Sequence, residues 1–288
     1  MREEALTIPA RDGYPLGALL LQPDHQPHAA IVLNGGTGIP KQFYRRFAGY
    51  AAERGYAVLL YDYRGIGGSR PQSLRGFAAT MRGWGESDMP GALDWLHSRF
   101  AGLPLYAVGH SVGGQLLGLM PNHHLLDGAA LITVSTGYWA GMPRWYGAFT
   151  LGIWLLGVPL LTRLLGYFPA RRLGLGEDLP AGVAREWGAW CLRPRYLAAF
   201  LGTTIQRHFY TEFQAPLLAL SFSDDQIATA RNVDSLLGLY AAAPLERRRI
   251  RPAEVGLPSI GHLGFFRQQS RDQLWPLPLD WFGSKDKG

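Results

Sequence analysis

Short runs of uninterrupted apolar residues recur along the chain, each ending in a glycine-rich turn and followed by an amphipathic stretch. Leu6–Pro9 and Pro15–Leu21 read as a hairpin around Asp12-Gly13, a turn dipeptide. Ala29–Leu33 reads as a buried strand that runs into Asn34-Gly35-Gly36-Thr37-Gly38. Gln42–Arg54 has helical periodicity and stops at Gly55, a natural C-terminal cap. Tyr56–Tyr61 is the next strand and Glu86–Phe100 the next helix, with Ala92, Trp95 and Leu96 on one face. Leu105–Val108, Ala129–Val134 and Pro216–Phe222 complete the apolar strands, and Arg249–Val255 reads as a further, weaker one. Strands that are apolar throughout, alternating with helices, bury both faces. The expected class is α/β, with a mostly parallel central sheet and helices on both of its faces.

Ser135 to Ala215 breaks this rhythm and contains no clear strand. Trp145–Thr162 carries no charge, between Arg144 and Arg163, and touches the length of a membrane-crossing helix. Pro159 and several glycines weaken that reading, and packing on the core is expected instead.

Composition narrows the functional classes. Hydrophobic residues are 47% and charged residues 17% of 288, so the chain is not disordered. Cys191 is the only cysteine, which excludes a disulfide scaffold. The start, Met1-Arg2-Glu3-Glu4-Ala5, lacks the basic and apolar regions of a secretory signal, so a cytoplasmic location is expected. The net charge of +6 invites a nucleic-acid reading. Its basic residues do not support one: only three are lysines, most arginines are scattered, and Arg247-Arg248-Arg249 reads as a solvated strand. No nucleic-acid partner is expected.

The candidate chemistry centres on Gly109-His110-Ser111-Val112-Gly113, a Gly-x-Ser-x-Gly string. A strand ends at it and a helical run, Gln115–Met120, follows, which is the setting a nucleophile elbow needs. Together with Asn34-Gly35-Gly36, with Asp62-Tyr63-Arg64-Gly65-Ile66-Gly67-Gly68-Ser69, and with Asp225 and Gly261-His262, this string resembles the α/β-hydrolase family. The elements at Asn34–Gly38, Tyr61–Ser69 and Trp187–Tyr196 resemble those of a bacterial branch of largely uncharacterised predicted hydrolases. The resemblance covers residues 1–136 and 216–288, expected to form the hydrolase core. Residues 137–215 are then an inserted helical lid.

A serine hydroxyl needs a base. The family order of serine, acid, histidine places the base downstream, where His262 sits in a glycine-flanked turn. His110 is expected to pack beneath the elbow. The orienting acid should follow a strand, and residues 128–176 contain no Asp or Glu. Ser223-Asp224-Asp225 follows Pro216–Phe222; the family pattern favours Asp225 over Asp224. The oxyanion donors implied by the resemblance are the N–H groups of Val112 and Gly36, with Thr37 the alternative to Gly36. The family often has His-Gly where this chain has Asn34-Gly35, which leaves open what braces that loop. Metal-ligand spacings and nucleotide-binding glycine motifs are absent from the sequence, so no cofactor and no metal are expected.

A single membrane crossing by Trp145–Thr162 would put Asp225 and His262 on the opposite side from Ser111. No transmembrane span is therefore expected, whereas a helix lying on a membrane surface survives the objection. Residues 137–215 hold eight arginines against four acids, hence +4 of the chain's +6, and five of its nine tryptophans. A small acyl substrate of anionic or lipid-like character fits that composition. The expected function is a serine hydrolase of carboxylic esters using Ser111, His262 and Asp225. Acyl transfer, peptide hydrolysis or perhydrolysis on the same residues, or a non-catalytic membrane-surface role, are the alternatives.

Overall fold

The computed structural model describes residues 1–285. Ten strands are present in chain order: β1 (Arg2–Pro9), β2 (Pro15–Gln22), β3 (Ala29–Asn34), β4 (Tyr56–Tyr61), β5 (Leu105–His110), β6 (Gly128–Ile132), β7 (Tyr167–Phe168), β8 (Leu179–Pro180), β9 (Leu217–Phe222) and β10 (Leu245–Ile250). Eight of them form one sheet in the order β1-β2-β4-β3-β5-β6-β9-β10. The β1–β2 hairpin and the β2–β4 pairing are antiparallel, and every other pairing in this sheet is parallel.

The period of two along each strand makes two cores. On β3, Ala30 and Val32 join Ala57, Leu59, Trp84, Leu93 and Leu96 on one face. Ala29, Ile31 and Leu33 join Val58, Leu60, Phe47, Phe265, Trp275 and Phe282 on the other. The helix Met89–Arg99 covers the first face; Arg45–Glu53 and Pro276–Lys285 cover the second. Both faces are covered, as continuous apolar strands require.

One strand differs from the sequence expectation. The C-terminal edge strand is Leu245–Ile250, which contains Arg247-Arg248-Arg249 as expected, but the strand does not run on to Val255, because Pro252–Val255 is a 3-10 turn. Proline cannot donate to a ladder, so Pro252 ends the strand. Leu245–Ile250 has only its end residues apolar, and its pairing with β9 fixes it in place.

Residues 137–215 lie between β6 and β9 and contribute the two-residue strands β7 and β8 and three main helical pieces. Arg144–Gly152, a π turn at Ile153–Gly157 and Val158–Leu165 form one continuous 22-residue helix. The π turn sits just ahead of Pro159, whose missing N–H cannot continue the ordinary ladder. The same device recurs at Trp84–Asp88 ahead of Pro90. The segment joins the first core through Trp154, Val158, Trp190, Tyr196 and Phe213. Only one stripe of the charge-free helix packs inward, so the expectation that this stretch packs on the core holds for that stripe alone.

Strand order reverses around β3: β4 lies on one side of it and β5 on the other. Ligands of open α/β sheets bind beyond the carboxyl ends of the strands at such a switch point. The loops after β3, β5, β9 and β10 all open there, and they carry every residue singled out above for chemistry.

Candidate active site

β5 runs into Ser111, and the helix Val112–Gln115 starts on the next residue. Ser111 has φ 50° and ψ −115°, a conformation that costs a non-glycine residue about 1–3 kcal/mol. The strain is held by Ser111 N–H donating to Ile132 O at 3.0 Å and by Gly114 and Gln115 N–H groups donating to Ser111 O. Space is as tight as the geometry. A Cβ on Gly113 would fall on the Asn34 carbonyl, and one on Gly109 would fall on the Gly114 backbone.

His262 stands over this elbow. Its Nε2 lies 3.0 Å from Ser111 Oγ and its Nδ1 2.8 Å from Asp225 Oδ2. The carboxylate accepts a hydrogen bond from Nδ1–H, which leaves the Nε2 lone pair facing the serine hydroxyl. Asp225 is buried, and its Oδ1 accepts from the Ile227 and Ala228 N–H groups at 2.8 and 2.9 Å. Burial alone would raise this carboxyl. The His262 ring and the two N–H donors outweigh burial and bring it below the usual carboxylate range.

Asp224 has a different task. Its Oδ2 accepts from Ile260 N–H at 2.8 Å, which ties the end of β9 to the loop carrying His262. The structure therefore brings Ser111, His262 and Asp225 into one hydrogen-bonded chain and leaves Asp224 behind it.

The loop after β3 departs from expectation. Gly36 N–H, the expected oxyanion donor, is already spent on Tyr44 Oη at 2.7 Å. Among the described residues, the N–H groups of Thr37 and Val112 have no protein acceptor. Tyrosines do the bracing that a histidine would otherwise do: Tyr61 Oη donates to Asn34 Oδ1 at 2.6 Å and Tyr63 Oη to Gly35 O at 3.2 Å. Asp62, at the end of β4, is a structural anchor that accepts from Lys41 N, Lys41 Nζ and Gly68 N.

His110 packs beneath the elbow and joins the two loops. Its Nε2 is 3.0 Å from His262 O, and its Nδ1 is 2.7 Å from Tyr44 Oη. A carbonyl can only accept, so Nε2 carries the proton and Nδ1 accepts from the tyrosine. The chain Gly36 N–H to Tyr44 to His110 to His262 O thus runs from the loop after β3 to the loop carrying His262. Sequence reasoning missed Tyr44, because Phe43-Tyr44 reads there as part of a helix's apolar face.

Complete burial, followed by the nearby His262, pushes His110 down to about 3 from 6.5. A histidine held neutral in the fold contributes stability above its unfolded pKa and loses it as pH falls toward the folded one. Folding stability should therefore fall by on the order of 3 kcal/mol through this group between about pH 7 and about pH 4. Urea titrations across that range check it: wild type should show the steeper acid loss, and His110→Gln, with no titrating ring, a shallower one.

Comparisons with known proteins agree with this architecture. The family described as serine aminopeptidase, S33, an α/β-hydrolase family, matches residues 25–171, just over half of the chain. The chain belongs to this S33 family. It matches no curated protein. A thermostable carboxyl esterase from Bacillus coagulans, in complex with glycerol, superposes with a TM-score of 0.67 at 14% identity, covering 99% of each chain. An esterase from Thermogutta terrifontis gives 0.60 at 15% identity, covering 98% of this chain and 99% of that one. A membrane phospholipase A described as a bacterial virulence factor gives 0.59 at 16% identity, covering 100% and 87%. At these identities the likeness shows the α/β-hydrolase fold. The S33 match spans β3 to the Arg144–Leu165 helix and so includes Ser111 and the loop after β3.

Proposed function

We propose that this S33-family hydrolase cleaves carboxylic esters through an acyl-enzyme on Ser111, with His262 as base and Asp225 as its orienting acid. The observation that carries the reading is the unbroken Ser111–His262–Asp225 hydrogen-bond chain, ending on a buried carboxylate. Ser111 Oγ attacks the acyl carbonyl while its proton passes to His262 Nε2. Asp225 stabilises the resulting imidazolium without taking a proton. The oxyanion forms against the Thr37 and Val112 N–H groups, since Gly36 N–H is engaged. Collapse of this adduct breaks the C–O bond, and His262 returns the proton to the departing alcohol. Water then attacks the acyl-enzyme, His262 takes a proton from it, and the carboxylic acid leaves as Ser111 regains its hydrogen.

Ester hydrolysis fits better than the aminopeptidase reaction of the family description. An aminopeptidase needs an acid to receive the substrate's α-ammonium. Residues 128–176 have none, and the next three acids are committed: Glu177 to Gly67 N–H, Asp178 to Arg70 and Glu186 to Arg82.

We read residues 137–215 as a lid over the site. Tyr196 Oη donates to Gln115 Oε1 in the elbow helix, and Glu177 N–H donates to Gly38 O in the oxyanion loop. A series of p-nitrophenyl esters of increasing acyl length tests the reading. Turnover should exceed that of an aminoacyl-p-nitroanilide series by at least about 100-fold in kcat/KM. Faster cleavage of the anilides would replace it with the peptidase reading.

A further inference from the structure

The helix Arg144–Leu165 is built inside out. Its inward stripe is Gly147, Thr150, Trp154, Val158 and Thr162, spaced three to four residues apart. Trp154 there packs on Trp187 at 4.7 Å, and both threonine hydroxyls turn back to helix carbonyls. The outward face is the apolar one: Trp145 is 68% exposed, Leu156 72% and Leu164 64%, with Phe149, Leu155 and Leu160 between them. A surface helix of a water-soluble protein has the opposite arrangement.

The patch is singular in this molecule. Among the described residues, every exposed large hydrophobic side chain except Met1 lies between Trp145 and Leu175. Its surroundings are cationic. Arg144 and Arg163 flank the face on the helix itself, and Arg171 and Arg172 precede the exposed Leu173 and Leu175. All eight arginines of residues 137–215 are exposed, and among the described residues none forms an ion pair. Elsewhere most arginines are paired, as Arg64 is with Asp12 and Asp88. Apolar bulk with unpaired arginines at its border is the composition of an interfacial helix. A second copy of this chain would bring the same unpaired cations against themselves.

We infer that the outward face of Arg144–Leu165, with Leu173 and Leu175, docks this protein on the surface of a bilayer containing anionic lipid. The leucines and Trp145 enter the acyl–headgroup boundary, and Arg144, Arg163, Arg171 and Arg172 meet the headgroup phosphates. The helix lies on the membrane and does not cross it. Its inward stripe is packed on the protein, and Ser111 stays with residues from beyond the helix, Asp225 and His262.

The docked surface adjoins the candidate site. Two residues past Leu175, Glu177 N–H donates to Gly38 O in the loop after β3 at 2.8 Å. A substrate leaving the membrane would meet Ser111 without crossing bulk water.

Vesicle flotation of the full chain tests the inference, using phosphatidylcholine alone and phosphatidylcholine with about a third phosphatidylglycerol. Wild type should float with the anionic vesicles and weakly or not at all with the neutral ones, and added salt should release it. Leu156→Glu/Leu160→Glu should lower the partition coefficient by at least about 100-fold. Arg163→Gln/Arg171→Gln/Arg172→Gln should lower it by on the order of 100-fold on anionic vesicles and leave it unchanged on neutral ones. These side chains are exposed, and an unchanged melting temperature certifies the fold of each variant. As a second readout, bilayer-brominated lipid should quench wild-type tryptophan fluorescence more than that of Trp145→Phe. Wild type that ignores anionic vesicles, including wild type that only self-associates, overturns the inference. So does equal flotation of the folded Glu variant.

Discussion

Ser111→Ala should lower kcat on an activated ester by at least about 10⁴-fold while leaving the protein folded. The loss follows from the geometry of the elbow. Ser111 Oγ is the atom facing Nε2 of His262, and among the described residues no other hydroxyl shares that hydrogen bond. Alanine keeps the backbone at φ 50° and its bonds to Ile132, Gly114 and Gln115, so the loss is chemical and not structural. A residual rate over water should remain, because the substitution leaves the proposed oxyanion donors, the Thr37 and Val112 N–H groups, in place. Steady-state kinetics beside a melting curve check the pair of claims. A variant within tenfold of wild type would remove Ser111 from the mechanism.

Asp225→Asn should be nearly as damaging, on the order of 10⁴-fold in kcat, with little change in KM. The amide keeps the shape but can donate a hydrogen to Nδ1. The ring then carries its proton on Nε2, and Ser111 faces an N–H instead of a lone pair. Asp224→Asn supplies the contrast. Asp224 Oδ2 only accepts from Ile260 N–H, a role the amide oxygen can fill, so its loss should stay within about tenfold. A reversal of these two magnitudes would move the acid to Asp224 and would require the β9–β10 side of the site to be rebuilt.

Much of the fold was legible because β3, β4, β5 and β9 are apolar at every position or nearly so, the mark of a sheet covered on both faces. The arginines of β10 were read as strand, but its extent was placed a few residues late. Its Glu-Arg-Arg-Arg interior carries no apolar signal, and only the ladder to β9 fixes it. That Ser111, Asp225 and His262 come together was readable because Ser111 and Asp225 each follow a strand and His262 sits in a glycine-flanked turn downstream of both. The partner of Gly36 was not. It depends on a tyrosine eight residues on, brought back by the first turn of a helix, and no local pattern records that. The apolar helix shows a related limit. Hydropathy finds Trp145–Thr162 but does not tell a face turned to the core from one turned to solvent, and three-dimensional packing decides that most of it is outside.

The Tyr44–His110 connection alters how the site is understood. Gly36 N–H, Tyr44 Oη, His110 and His262 O form one chain of hydrogen bonds. Complete burial holds the Tyr44 phenol protonated far above its ordinary range, and His110 is held neutral, so the chain keeps one pattern of donors and acceptors. Asn34, where the family often has histidine, fits this arrangement: the histidine beside Ser111 and the tyrosines of neighbouring elements brace the loop in its place.

The proposed mechanism requires Ser111 to be a nucleophile activated by His262. Treating the folded wild-type chain with a fluorophosphonate and mapping the adduct by peptide mass tests it most directly. Wild type should carry one stoichiometric phosphonyl group, on Ser111, and the His262→Ala variant none. A folded wild type that stays unlabelled, or an adduct on any residue other than Ser111, would contradict it.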